Sequence, residues 1–393
     1  MNEKIKKITG GVVGNGRFLV VGMLFALILM LPQSARAQSV SASGASAAAM
    51  KLIDFAVNTQ NPLDVQAVET LVDYVLDAKS HQEGELPKIR QATGAYYEFD
   101  TRIDFARFLQ YTYSNQVPSA MTSPASLRYS IWSSRKDEAQ KLPEVWALPA
   151  RDSAPVVIRG MQRDGITPDL TTEVHYEYDL MRTLVLLNYK GRHVLISISQ
   201  QAGVSDVGRK GFILGKDDDW NYHYTNDIGS AKAGLGWVKS YIYDFFAVGV
   251  YIDAGSSPST VRSGMFQWIR AGWSGINFVK TGHVILGMQR HAKNSKFILE
   301  SPDMPEPDRI ADAYRRFCAL PRKDLAARYA SLQRARYNLA VASGRIDSHD
   351  KTTPDTGPDA TKEQMIEALM QEYLKVALGK SSLLGKKLAL VSH

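Results

Sequence analysis

From Glu173 to Leu180 the chain alternates without a break, with Val174, Tyr176, Tyr178 and Leu180 set against Glu173, His175, Glu177 and Asp179. A period of two is that of a β-strand with one dry and one wet face, and it rules out a helix over the same residues. The run continues through Leu184 and Leu186 to the turn sequence Tyr189-Lys190-Gly191-Arg192. Val194, Ile196 and Ile198 then alternate with His193, Ser197 and Ser199. Two such runs joined by a short turn make an antiparallel hairpin, so the chain is built around antiparallel sheet.

Other signals fill in the remainder. Asn61-Pro62 reads as a cap and first turn for an amphipathic helix over 62–79. Residues 95–103 read as a strand, 104–113 as a short helix with Phe105, Phe108 and Leu109 on one side, and 127–132 and 156–161 as further strands. Residues 240–252 are apolar on nearly both faces, which places that strand centrally with a helix over it. Ser256-Ser257-Pro258-Ser259 reads as a helix start, and Val261, Met265, Trp268, Ile269, Ile276, Val279 and Leu286 recur at helical spacing. A long helix over 259–294 is therefore expected, broken near Gly272–Gly275. Asp308 begins another helix to about Leu320, Pro321 breaks it, and 322–343 continue as a basic amphipathic helix. Thr361 with Gln364 forms a capping box that opens a last helix through Ala377.

The expected fold class is α+β, a curved antiparallel sheet packed on a long C-terminal helix with extra N- and C-terminal helices. Over roughly residues 90–295 this element order resembles the helix-grip (START-like) domains. That resemblance implies a sheet wrapped around a helix, with an apolar cavity between them.

The N-terminus carries Lys4, Lys6, Lys7 and Arg17, an uncharged run from Phe18 to Leu31, and Ala35-Arg36-Ala37. These are the basic, apolar and cleavage regions of a secretory signal peptide, cut after Ala37. Fourteen helical residues reach only ~21 Å, short of the ~30 Å hydrocarbon core, so export is expected rather than anchoring. No cysteine follows the apolar run, which excludes a lipid anchor, and no later run is long enough to be an integral membrane segment. Without residues 1–37 the net charge falls from +7 to +3, which removes the case for nucleic acid as a partner. The expected location is the periplasm. Cys318 is the one cysteine, so an intrachain disulfide, a CxxC redox pair and a thiolate zinc site are excluded. The expected organisation is a signal peptide over 1–37, a flexible leader over 38–60 and an α+β core domain over 61–300. A helical extension over 301–344, a disordered linker over 345–361, and a C-terminal amphipathic helix and tail over 362–393 follow.

Several motifs fail on chemistry. Asp217-Asp218-Asp219-Trp220-Asn221 starts like a calcium loop, but Tyr222 stands where glycine must turn the chain and Ile228 where glutamate must close the site. Gly211-Phe-Ile-Leu-Gly215-Lys216 is one residue short of a phosphate loop, and Asp217 follows in place of Ser or Thr. Gly208-Arg-Lys-Gly211 matches the RNA-clamping GxxG only in outline. Ser133–Lys136 and Lys280-Thr281-Gly282 lack the Ser-x-Asn element of serine-acylating enzymes, and the chain has no Gly-x-Ser-x-Gly elbow. His175 and Glu177 read as a solvated polar face. No cofactor and no metal site is expected.

Two polar side chains fall on dry faces. Arg182 is in phase with Tyr178, Leu180, Leu184 and Leu186, where a guanidinium needs a partner such as Asp244 or a ligand anion. His283 shares the Val279–Leu286 face of the expected long helix. Fourteen of the 37 aromatic residues lie within 212–278. The expected function is binding of an apolar or amphipathic, lipid-like small molecule between sheet and helix. Trp237, Tyr241, Tyr243 and Trp268 would line the wall, and Arg182 and His283 would be the polar contacts. The alternatives are an envelope interaction or assembly factor, docking a protein partner through its C-terminal helices, and a hydrolase without a recognisable motif.

Overall fold

The computed structural model describes residues 40–114, 116–133, 153–232, 236–346 and 360–385. The expected signal peptide, most of the expected 345–361 linker, the tail beyond 385 and Lys136 of the Ser133–Lys136 motif lie outside the described residues.

Instead of a flexible leader, residues Ala42–Val57 form helix α1. Its Ser- and Ala-rich composition reads as a linker, but Ala45, Ala49, Leu52, Ile53 and Ala56 repeat at helical spacing and are buried. Helix α2 (Val65–Asp77) begins three residues later than expected, because Asp64, not Asn61, caps it by accepting from the Ala67 amide at 2.9 Å. Strands β1 (Glu83–Ile89) and β2 (Ala92–Thr101) follow, then α3 (Phe105–Tyr113), the short helix expected over 104–113, which Asp104 caps. A single turn α4 (Ser119–Thr122), β3 (Leu127–Ser133) and β4 (Val156–Ile166) lead to a two-residue strand β5 (Val174–His175).

The predicted hairpin is present as β6 (Glu177–Tyr189) and β7 (Arg192–Gln201), turned at Lys190 and Gly191, both in the left-handed region. Strands β8 (Arg209–Ile213), β9 (Tyr222–Ile228), β10 (Ser230–Lys232) and β11 (Gly236–Val238) form two small antiparallel sheets, β5-β8-β9 and β10-β11. The doubly apolar strand is β12 (Tyr241–Ser256) and, as expected, it is central.

The long helix over 259–294 is replaced by two elements. Ser256 and Ser259 pair across a turn, and residues Ser259–Gly272 return as β13; α5 is Thr281–Leu299. The helical spacing misled because β13 is apolar on both faces, so no alternation marks it. Phe266 and Trp268 point to one side, Met265 and Ile269 to the other. Gly264 lets α2 seat on this strand, since a Cβ there would stand 2.2 Å from Val75. Helices α6 (Pro307–Ala319), α7 (Arg322–Ala342) and α8 (Lys362–Ala377) complete the chain, the last with its Thr361–Gln364 capping box.

The eight-stranded antiparallel sheet runs β1-β2-β13-β12-β7-β6-β4-β3 and is not closed. Helices α1 and α2 cover one face, where Leu52, Ile53, Leu71 and Val72 meet Ile196, Ile198, Val248 and Val250. The later helices cover the other face, joining Leu184, Leu186 and Leu195 to Phe108, Phe317, Leu325 and Leu369. The fold class is thus α+β, but nothing beyond it confirms the helix-grip likeness, whose long helix is half strand. Helix α8 is part of this core: its Glu367 accepts from the Ser130 amide at 3.0 Å, and its Gln371 amide donates to the Leu127 carbonyl at 3.1 Å. Those bonds occupy part of the open edge of β3, where an unpaired strand would otherwise offer its backbone. The apolar positions expected to dock a partner are buried in the protein itself. Among the described residues, no helix is long and apolar enough to cross a membrane.

Candidate functional site

Register places the site. Arg182, Ser199, Ala247 and Gln267 stand side by side across β6, β7, β12 and β13, and Leu184, Ser197, Gly249 and Met265 form the next row. Four small residues at the middle of the sheet leave a hollow where larger side chains would meet the helices. Gly249 goes further: a Cβ there would lie 3.0 Å from the Tyr251 ring, so glycine lets that ring fold over the strand. The result is a cavity of about 200 Å³ between the sheet and the helices α3, α4 and α5. Most of its lining side chains carry polar groups.

Arg182 is held from behind. One terminal nitrogen donates to Ser199 Oγ and the other to Ser197 Oγ at 3.0 Å, while Nε is buried without a partner. It makes no ion pair among the described residues. Asp244, the partner expected for it, is taken by Arg270 at 2.5 Å.

Asp164 lines the same cavity. Its Oδ1 accepts from Ser130 Oγ at 2.6 Å, and Ser130 in turn accepts from Gln162 Nε2. Burial pushes the Asp164 pKa up to about 6, against the pull of Ser130 and the nearby Arg182 charge. Behind Ser130, burial also raises Glu367 well above the ordinary carboxyl range, despite the Ser130 amide bond.

The roof of the cavity supplies His291 and Ser295, one helical turn apart on α5. Burial drops the His291 pKa to about 4, so the ring is neutral at pH 7 and offers one donor and one acceptor. The side chains of His291, Ser295 and Gln267 make no hydrogen bond among the described residues. They line the cavity with donors and acceptors not spent within the protein, which a polar guest can use.

Of the site residues named from sequence, Arg182 alone lines the cavity. Trp268 points to the opposite face, where its Nε1 donates to the Pro87 carbonyl at 2.9 Å. Tyr241 and Tyr243 lie at the start of β12, away from the cavity, and the Tyr243 hydroxyl accepts from the Gly275 amide at 2.8 Å. His283 is exposed in the first turn of α5, because the helix begins at Thr281 and not at Ser259. The side chain of Trp237 lies outside the described residues. His175 is buried edge-on to Tyr224 rather than solvated, since the strand breaks at Tyr176 and β5 joins a different sheet from β6. Asp217 of the acidic loop is bound by Arg290, with Nη2–Oδ1 at 2.5 Å and Nε–Oδ2 at 2.8 Å.

Asp164, Gln267, His291 and Ser295 escaped the sequence analysis. Their one local signal is the i,i+4 spacing of His291 and Ser295 on a helix. The rest is set by sheet order. The chain matches no protein-family model, and no curated protein matches it.

Proposed function

We propose that this is an exported, envelope-located protein that binds a small polar molecule in the cavity, with Arg182 anchoring an anionic group. The observation that carries this is Arg182 itself. A guanidinium lining a cavity, held by two hydroxyls and with no ion pair among the described residues, has charge and N–H groups uncommitted for a planar anion. Export is supported by the three-part N-terminal signal in the sequence.

The size and lining of the cavity support a small polar guest over the lipid-like one the sequence suggests. A cavity of ~150 Å³ holds benzene, so about 200 Å³ suits a compound of roughly ten non-hydrogen atoms and no long acyl chain.

Native mass spectrometry of protein isolated from the periplasmic fraction, without denaturation, tests both parts. The expected result is a chain beginning at Gln38 and carrying one small anionic compound, lost on denaturation. Recovery of the protein, with residues 1–37 retained, from the cytoplasmic fraction alone would overturn the export reading. A chain carrying acyl lipid would overturn the polar one.

A further inference from the structure

Arg182 and Asp164 are opposite charges in one cavity, yet they form no ion pair with each other. Each is fixed from behind by hydroxyls, Arg182 by Ser197 and Ser199, Asp164 by Ser130. Each also keeps an unpartnered atom, Nε of Arg182 and Oδ2 of Asp164. Opposite charges in one low-dielectric space would ordinarily pair. Held apart, they make a dipolar seat.

Charge then selects the guest. His291 is neutral, so Arg182 is the cation in this lining and Asp164 its counterpart. A dianionic phosphate would meet one cation and a carboxylate. An uncharged guest would leave both charges desolvated. We propose that the cavity binds a free amino acid as its zwitterion, the α-carboxylate on Arg182 and the α-ammonium on Asp164. The remaining unpartnered groups, Gln267, His291 and Ser295, are neutral donors and acceptors. They match a polar uncharged side chain, as in glutamine, asparagine or serine. This rests on the anion-binding role of Arg182 and adds the second pole.

Isothermal titration of the full mature chain tests it, with L-glutamine, L-asparagine and L-serine each set beside the same acid carrying hydroxyl in place of the α-ammonium. At least one amino acid is expected to bind ten- to a hundredfold tighter than its hydroxy analogue. Asp164→Asn should erase that preference while leaving the far-UV circular dichroism unchanged. Affinity for the amino acid should also fall about tenfold from pH 7 to pH 5 as Asp164 takes up its proton, and stay flat in the variant. The groups facing Asp164 are Arg182 and Tyr178 of β6, Ser130 of β3, Glu367 of α8 and, across the cavity, His291. His291 titrates below that window, near pH 4. Hydroxy acids binding as tightly as the amino acids would overturn the zwitterion and leave the anion site standing. No binding by either set would overturn both.

Discussion

Replacing Asp164 by asparagine should make the protein more stable at pH 8, by about 3 kcal/mol. The carboxyl is buried, lacks an ion pair and has its pKa pushed up from 3.8 to about 6. Its folded pKa lies above its unfolded one, so the native state binds more protons between those values. The group therefore lowers stability above pH 6, and that cost fades as the pH falls from 6 toward 4. Asparagine keeps an acceptor for Ser130 and carries no charge, so the gain in urea-denaturation free energy should be full at pH 8 and small at pH 4. His291 has the opposite sign: its folded pKa is depressed to about 4, so its contribution is lost as the pH falls. Both variant and parent contain His291, so their difference isolates Asp164. A stability cost retained at a cavity wall is the mark of a group kept for its chemistry. Asp164→Asn that destabilises at pH 8 would show the carboxylate to be a structural partner instead.

The second large effect concerns α8. Lys375 and Glu372 are fully buried and meet at 2.7 Å; Lys375 also donates to Asn221 Oδ1 at 2.7 Å. Glu372 accepts from the Leu383 amide at 2.7 Å and from Ser382 Oγ at 2.8 Å. Burial alone would raise the Glu372 pKa, but Lys375 and Arg336 hold it below the ordinary value. Lys375→Met would leave that buried carboxylate without its hydrogen-bonded counterion, a loss of about 3–5 kcal/mol. Adding Glu372→Gln should recover a large part, because the penalty belongs to the orphaned charge. Thermal denaturation of the two variants checks this. A Lys375→Met protein as stable as the parent would mean that α8 is a loosely attached appendage, as the docking-helix alternative requires.

What was legible in the sequence is local. The β6–β7 hairpin follows from strict alternation and a Lys-Gly turn, α3 from Phe105, Phe108 and Leu109 falling on one side, and the start of α8 from its Thr361–Gln364 box. Helix α1 was hidden because alanine and serine look alike in a linker and in a helix seated closely on a sheet. β13 was hidden because apolar residues on both faces, Phe266 and Trp268 against Met265 and Ile269, blur the period of two. Arg182 could be found from phase along a single strand. Asp164, Gln267 and His291 could not, because they meet Arg182 only once β4, β6, β7, β12 and β13 take their places in the sheet and α5 lies over it. Trp268 was chosen for its aromatic bulk, which says nothing about which face a strand turns it to.

The proposed function stands on Arg182 anchoring a ligand in this cavity. Titration calorimetry of the mature chain and its Arg182→Gln variant, against a panel of free amino acids and small hydroxy acids at one pH and salt concentration, tests it most directly. Loss of a charge-assisted contact worth about 1.5–3 kcal/mol predicts affinity roughly ten- to a hundredfold weaker in the variant, with unchanged circular dichroism. Equal affinity in the two proteins would show that Arg182 does not anchor the ligand.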